Sequence, residues 1–140
     1  MSKAAVVYWS GTGNTENMAK AVAEGAQAAG MQVDIITAEM FNADAISEYD
    51  SIAFGCPSMG VEVLEETVFQ PMWDSVKSGL QGKKIALFGS YGWGDGTWMR
   101  EWEEECRSEG IELVSESVIA NEAPGNEDLE KCKALGQALS

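Results

Sequence analysis

The sequence predicts an α/β fold: a doubly wound, five-stranded parallel sheet in the order 2-1-3-4-5, with helices on both faces. Short, almost wholly apolar runs alternate five times with stretches of helical periodicity, which is typical of parallel strands joined by helical crossovers. Continuous apolar runs also suit strands that are covered on both faces. Polar loops containing glycine follow the first, third and fourth runs. In such sheets ligands bind beyond the carboxyl ends of the strands, so these loops mark the expected site.

The predicted strands are apolar runs bounded by glycines or polar residues. They span residues 4–9, 31–37, 51–56, 83–89, and 111–114 with 118–120, the last interrupted near 115–116. The first helix follows the first loop, with Met18, Ala21, Val22 and Gly25 along one face. Later helices are expected at residues 71–78, 97–108 and 126–139, with one or two weaker turns within 38–48. We place the start of the second main helix at Pro71, because proline fits the first turn of a helix.

Composition limits the classes of function. The 140 residues are the usual length of one domain, so residues 1–140 are expected to form a single domain. A formal net charge of −14 argues against nucleic acid and anionic membranes as partners, and favours basic partner surfaces. No early apolar run resembles a signal peptide or a membrane span. Cys56, Cys106 and Cys132 are widely spaced and the chain has no histidine, so we expect reduced thiols in a cytoplasmic protein and no metal site.

The loop after the first strand resembles an anion cradle. It offers two glycines and four side-chain donors before the helix begins, in the order Ser10, Gly11, Thr12, Gly13, Asn14, Thr15. The first-turn amides of a helix and its dipole favour an anion at this position. The loop has no lysine, arginine or cysteine, so it predicts a phosphate that is held and not transferred. The alternative is a plain strand-to-helix turn with a Thr or Asn cap.

The loops after the third and fourth strands carry large side chains beside glycines. Met59, Tyr91 and Trp93 offer polarisable or flat surfaces on which a planar ring could stack. A phosphate-binding loop together with two loops that carry large apolar side chains predicts a phosphorylated planar ligand, and flavin mononucleotide (FMN) fits that prediction. The alternative for Trp93 is ordinary packing against the helix that carries Trp98 and Trp102.

Three motifs in this order closely resemble the flavodoxin family. They are residues 7–16 (VYWSGTGNTE), Met59-Gly60 with Glu62, and residues 87–96 (LFGSYGWGDG). The resemblance covers essentially the whole chain and is best with the short-chain flavodoxins of anaerobic bacteria. It implies a flavodoxin-like fold with FMN as a non-covalent cofactor.

The resemblance also implies roles for individual residues. Ser10, Thr12, Asn14 and Thr15, with the amides of Gly11 and Gly13, would hold the FMN phosphate. Trp93 would stack on the outer face of the flavin and Met59 would cover the inner face. The Gly60 carbonyl would turn towards flavin N5 on one-electron reduction, and Glu62 would hydrogen-bond N3. The remaining contacts to the ring are expected from Ser58, Val61, Ser90, Tyr91, Gly92 and Asn121. Val61 departs from the family pattern, which usually has Gly, Asn, Asp or Ser at that position.

The implied function is that of a low-potential one-electron carrier, shuttling FMN between semiquinone and hydroquinone and delivering electrons to redox partner proteins. We expect a monomer whose partners dock on acidic residues around the flavin edge, Glu62, Glu65, Glu66 and Asp95 among them. The alternative is an FMN-dependent quinone or nitro reductase on the same fold, which would need a substrate pocket that this chain has little length to build. A phosphoacceptor receiver domain does not fit, because Trp9-Ser10 and Asn121-Glu122 replace the acidic pair and lysine that it requires.

Overall fold

The computed structural model of the chain describes residues 2–11, 13–59, 63–92 and 94–140. Five parallel strands form one sheet in the order β2-β1-β3-β4-β5, which confirms the predicted fold class and strand order. The strands are β1 (Lys3–Tyr8), β2 (Gln32–Thr37), β3 (Ser51–Gly55), β4 (Lys84–Tyr91) and β5 (Val118–Asn121). The α-helices are α1 (Asn14–Ala28), α2 (Phe69–Val76), α3 (Thr97–Ser108) and α4 (Asn126–Ala138).

The sheet separates two apolar cores. Successive side chains of a strand point to opposite faces, so Val6 packs with α1 and α4, whereas Val7 packs with α2 and α3. On the α2/α3 side, Trp73 meets Phe54 and Trp102 edge to face, with ring centroids 5.2 and 5.6 Å apart. Such pairs contribute roughly 0.5–1.5 kcal/mol each beyond the area that they bury. Both faces are therefore covered, as the unbroken apolar strands indicated.

Helices α1 and α4 pack through glycine on each side. A Cβ atom added at Gly136 would lie 2.0 Å from the Val22 carbonyl oxygen, and one added at Gly25 would lie 1.9 Å from that of Lys133. Distances below 3.0 Å are essentially never seen for a real Cβ atom. The two backbones can therefore approach this closely only because both positions lack a side chain.

The structure corrects the predicted start of α2 and the predicted end of β4. Helix α2 begins at Phe69 and not at Pro71, which is still within the first turn, where a missing N–H costs no helical hydrogen bond. Strand β4 runs to Tyr91, because its last residues pair with β5 as Ser90↔Ala120 and Tyr91↔Asn121. The predicted loop at 90–96 therefore begins two residues later.

Of the remaining segments, residues 38–48 and α3 follow the predictions, whereas residues 111–114 do not form the predicted first part of the fifth strand. Residues 38–48 form two short 3₁₀ turns, Ala38–Met40 and Ala43–Glu48, and α3 has the predicted bounds. Leu113 makes only an isolated bridge to Ile85, because the chain pairs with β4 at a single position there, and β5 itself begins at Val118. No helix in the described part of the chain is long and apolar enough to cross a membrane.

Candidate functional site

A cavity of about 430 Å³ opens at the carboxyl ends of the central strands. Its size is within the usual range of small-molecule and cofactor sites. The lining comes from all three predicted loops and from the end of β5, and consists of Trp9, Gly11, Asn14, Pro57, Ser58, Met59, Ser90, Tyr91, Gly92 and Glu122. The strand order places these loops side by side, because β1, β3 and β4 are consecutive neighbours in the sheet.

The first loop brings the amino terminus of α1 to one end of the cavity. Gly13 precedes the helix with φ of 93°, in the left-handed region that favours glycine. Its N–H donates to the Ser10 hydroxyl oxygen at 3.0 Å, which closes the loop onto itself. The helix has no basic residue in its first turn, so positive potential here comes from backbone N–H groups and the helix dipole.

A pair of buried hydroxyls joins the first loop to β4. Thr15 Oγ1 and Ser90 Oγ lie 2.8 Å apart, and the side chains are 1% and 4% exposed. Ser90 is also fixed through its backbone, because its carbonyl accepts a hydrogen bond from the Ser58 N–H at 2.9 Å. These contacts fix the relative positions of all three loops.

The second loop is closed at its base. The Met59 N–H donates to the Val63 carbonyl at 2.8 Å, and the Val63 N–H donates back to the Met59 carbonyl at 2.9 Å. The Met59 side chain is 37% exposed although it is large and apolar, and it lines the cavity. The chain thus presents an apolar surface at the cavity mouth on a segment whose two ends are paired.

Glu65 secures the chain just beyond this loop. The side chain is 5% exposed, and its carboxylate accepts hydrogen bonds from the N–H groups of Thr67, Val68 and Phe69 at 2.9, 2.7 and 2.8 Å. It also accepts from the Thr67 hydroxyl. Burial alone would raise the pKa of the Glu65 carboxyl, but these donors outweigh burial and lower the pKa below its ordinary value. Glu65 therefore caps α2 as an anion, and it is not an exposed docking residue as we expected from the sequence.

The Cys56 thiol ties the two ends of the second loop together. The Glu65 N–H donates to Cys56 Sγ at 3.3 Å, across nine positions of the chain. Burial raises the pKa of Cys56, so the thiol stays protonated. Cys56, Cys106 and Cys132 are all free and buried, as predicted.

The third loop is held by aromatic and backbone contacts. The Tyr91 ring lies 5.4 Å from the Trp98 ring, centroid to centroid, and is tilted by 48°. The Tyr91 carbonyl accepts a hydrogen bond from the Glu122 N–H at 2.7 Å. Glu122, which lines the cavity, has φ of 57°, in the left-handed region that residues other than glycine rarely adopt.

The structure brings together most of the predicted site residues that it describes. Those that line the cavity are Gly11, Asn14, Ser58, Met59, Ser90, Tyr91 and Gly92. Thr15 lies behind the lining on Ser90, and Ser10 faces an adjoining cavity of about 230 Å³. Asn121 ends β5 but is not part of the lining, where its neighbour Glu122 stands instead. Five predicted residues lie outside the described residues: Thr12, Gly60, Val61, Glu62 and Trp93.

Sequence reasoning missed three lining residues. The sequence places Trp9 at the end of a strand, Pro57 in a loop and Glu122 beside Asn121, and none of these positions by itself predicts a contact with a ligand. Trp9 and Pro57 each stand immediately beside a predicted site residue at a strand end. Their position beyond a carboxyl end was the signal that could have identified them.

Comparison with known proteins identifies the family. A family model described as Flavodoxin matches residues 6–136. The chain is 43% identical to a flavodoxin of Megasphaera elsdenii over 96% of both chains, and 42% identical to one of Clostridium beijerinckii over 96% of this chain and 97% of that one. This chain belongs to the flavodoxin family. The solution structure of the two-electron reduced Megasphaera elsdenii flavodoxin superposes with a TM-score of 0.89, and each chain is covered to 97%.

As a short-chain flavodoxin, this protein is an FMN-binding electron carrier and not an enzyme. The cavity fits that cofactor. The α1 amino terminus with Asn14 and the hydroxyls of Thr15 and Ser90 suits a phosphate, and the apolar surfaces of Met59 and Tyr91 suit a ring system. No basic side chain contributes to the lining among the residues that the structure describes.

Proposed function

We propose that this flavodoxin is a low-potential one-electron carrier that works between the one-electron and two-electron reduced forms of FMN. The observation that carries the proposal is the electrostatic character of the cavity. Its described lining includes Glu122 and no basic side chain, on a chain with a formal net charge of −14. Each added negative charge is disfavoured in such surroundings, which lowers the potential of the more reducing step.

The chain's own residues bind and orient the cofactor in this proposal. The Gly11 and Gly13 amides, Asn14 and the buried hydroxyls hold the phosphate end. Met59 covers one face of the ring and Tyr91 lies at its edge, while Ser58 and Gly92 complete the binding site around it. Bound FMN supplies the one-electron chemistry. The family resemblance assigns further contacts to the five residues outside the described part: Thr12, Gly60, Val61, Glu62 and Trp93.

A redox titration followed by visible absorbance tests this function. We expect the purified chain to be yellow and to take up electrons in two separate one-electron steps, the second at markedly lower potential. A single two-electron step would contradict the carrier role. Sustained reduction of a quinone by a nicotinamide cofactor would favour the alternative of a flavin reductase on the same fold.

We also propose that partners dock on an acidic rim around the cavity. Glu66 and Glu122 are exposed, and so is Asp95, which pairs with Arg100 at 3.1 Å. The association rate with a basic redox partner should therefore fall steeply as salt rises towards physiological ionic strength. A rate that does not change over this range would refute electrostatic docking. We further propose that residues 1–140 act as one monomeric FMN domain in the cytoplasm, and the three free thiols support that location.

A further inference from the structure

The Cys56 thiol makes hydrogen bonds at both ends of the second loop. It accepts from the Glu65 N–H at 3.3 Å and donates to the Pro57 carbonyl at 3.5 Å. The Cys56 side chain is fully buried, so bulk water does not compete for either contact. One side chain therefore joins positions 56 and 65, and Met59, which lines the cavity, lies between them.

Each end of the loop is anchored to a different part of the fold. The start is fixed to β4 and α3, because the Cys56 N–H donates to the Phe88 carbonyl at 3.2 Å and the Trp98 indole N–H donates to the Cys56 carbonyl at 3.3 Å. The end is fixed to α2, because the Glu65 carbonyl accepts from the Gln70 N–H at 2.8 Å and the Glu65 carboxylate caps the helix. The thiol contact links these two anchored ends, and so it limits how the loop can move against the sheet.

A restraint on this loop has a consequence for ligand affinity. Ordering a mobile segment on binding lowers affinity, and a contact that orders the segment beforehand removes that cost. The Met59 side chain is 37% exposed, and its position in the cavity wall depends on the backbone that carries it. That backbone pairs with Val63 inside the span that the thiol closes. A thiol that restrains the loop therefore also restrains an apolar surface of the cavity.

We infer that Cys56 is a positioning residue for the cofactor, because its thiol holds the second loop in the conformation in which Met59 covers the ring. The inference rests on the proposed function, in which Met59 covers one face of that ring. Cys56 itself is not part of the cavity lining, so it acts only through the loop. The effect belongs to the ring and not to the phosphate, so it should be the same for FMN and for riboflavin, which lacks the phosphate.

The test measures the affinity of the full chain for both flavins. The chain is freed of flavin by dialysis and titrated with FMN or riboflavin while flavin fluorescence is recorded. Cys56→Ala should weaken the binding of both ligands about tenfold, because the loop gains freedom that binding must then remove. Cys56→Ser keeps one donor and one acceptor at this position, and should bind both ligands within about threefold of the unaltered chain.

Cys106→Ala is the matched control. Cys106 is equally buried and lies on α3 in the same apolar core as Cys56. The control loses the same thiol from that core, so it should be destabilised without a change in either flavin affinity.

Hydrogen exchange gives a second readout that a loss of overall stability does not reproduce. In the flavin-free chain, Cys56→Ala should exchange the Met59 and Val63 N–H groups faster than either Cys106→Ala or the unaltered chain does. Bound FMN should remove most of this difference, because the ring then restrains the loop.

The other outcomes separate the inference from the proposed function. Affinities that Cys56→Ala leaves unchanged, or that Cys106→Ala lowers equally, would refute the positioning role, and so would unaltered exchange at Met59 and Val63. Weaker binding of FMN alone would also refute it, because the thiol would then act on the phosphate. If Met59→Ala leaves both affinities unchanged, Met59 does not cover the ring and the proposed function is wrong on that point. If Met59→Ala weakens both and Cys56→Ala neither, only the inference fails.

Discussion

Replacing Glu65 by glutamine should destabilise the protein far more than the same change at Glu66. In the folded chain the Glu65 carboxylate accepts from the N–H groups of Thr67, Val68 and Phe69. A glutamine oxygen can still accept from Val68 and Phe69, but without charge, which costs about 1 kcal/mol for each bond. The new NH₂ group would face the Thr67 N–H, leaving that donor unpaired at a cost of about 1–3 kcal/mol. The expected loss is therefore roughly 3–5 kcal/mol.

Urea unfolding at neutral pH measures this loss, with Glu66→Gln as the matched control. Both variants remove one negative charge from adjacent positions, but Glu66 is exposed. A surface substitution of that kind usually changes the free energy of unfolding by no more than about 0.5 kcal/mol. The difference between the two variants therefore isolates the capping carboxylate from the change in net charge.

Acid should remove the difference between the unaltered chain and the Glu65→Gln variant. The pKa of Glu65 is lower in the folded chain than its ordinary value, so ionised Glu65 stabilises the fold above that ordinary value of about 4.3. This stabilisation is lost as the pH falls through the folded-state pKa, where the native side chain also becomes neutral. Equal urea midpoints for Glu65→Gln and Glu66→Gln at neutral pH would refute the capping role of Glu65. A difference between the unaltered chain and Glu65→Gln that does not narrow in acid would also refute it.

Two further predictions follow from packing and burial. Gly136→Ala should lower the free energy of unfolding by about 1–3 kcal/mol or more, because its Cβ atom would lie 2.0 Å from the Val22 carbonyl oxygen. The control Gln137→Ala, on the exposed face of α4, should have little effect. Equal urea midpoints for the two variants would contradict the close contact between the helices. Burial raises the pKa of both Cys106 and Cys132 to about 12, so at pH 8 their thiolate fraction should be roughly a thousandfold below that of an exposed cysteine. An aromatic disulfide reagent should therefore react with these thiols only after unfolding. Rapid reaction of the native protein would contradict their burial.

The fold could be predicted because its signals are local. Apolar runs mark the strands, and the polar loop before α1 combines glycines, hydroxyls and an amide within a few residues. The start of α2 could not be predicted in this way, because its cap is Glu65, which precedes the helix by four residues and is fixed only in the folded chain. Strand β4 was predicted too short for a similar reason, since its last pairs are made with β5.

The same distinction applies to the site. The predicted loops do meet at one cavity, since the order of parallel strands determines which loops are neighbours. The hydroxyl pair was not foreseen, because Thr15 and Ser90 are 75 positions apart and each looked like an independent donor. Glu122 was not foreseen either, because it lines the cavity in a left-handed backbone conformation that a glutamate in the sequence does not indicate.

A cavity lining without a described basic side chain has a consequence for how the protein keeps its cofactor. At the proposed site the phosphate would be met by hydroxyl and amide dipoles, and the described lining has no basic side chain whose ion pair with the phosphate dissolved ions could weaken. The net charge of −14 instead repels an approaching anionic cofactor, and added ions screen that repulsion. Rising ionic strength should therefore preserve or increase the affinity for FMN, whereas it should lower the affinity for a basic redox partner. The carrier could leave its partner after each transfer without losing the flavin that the transfer depends on.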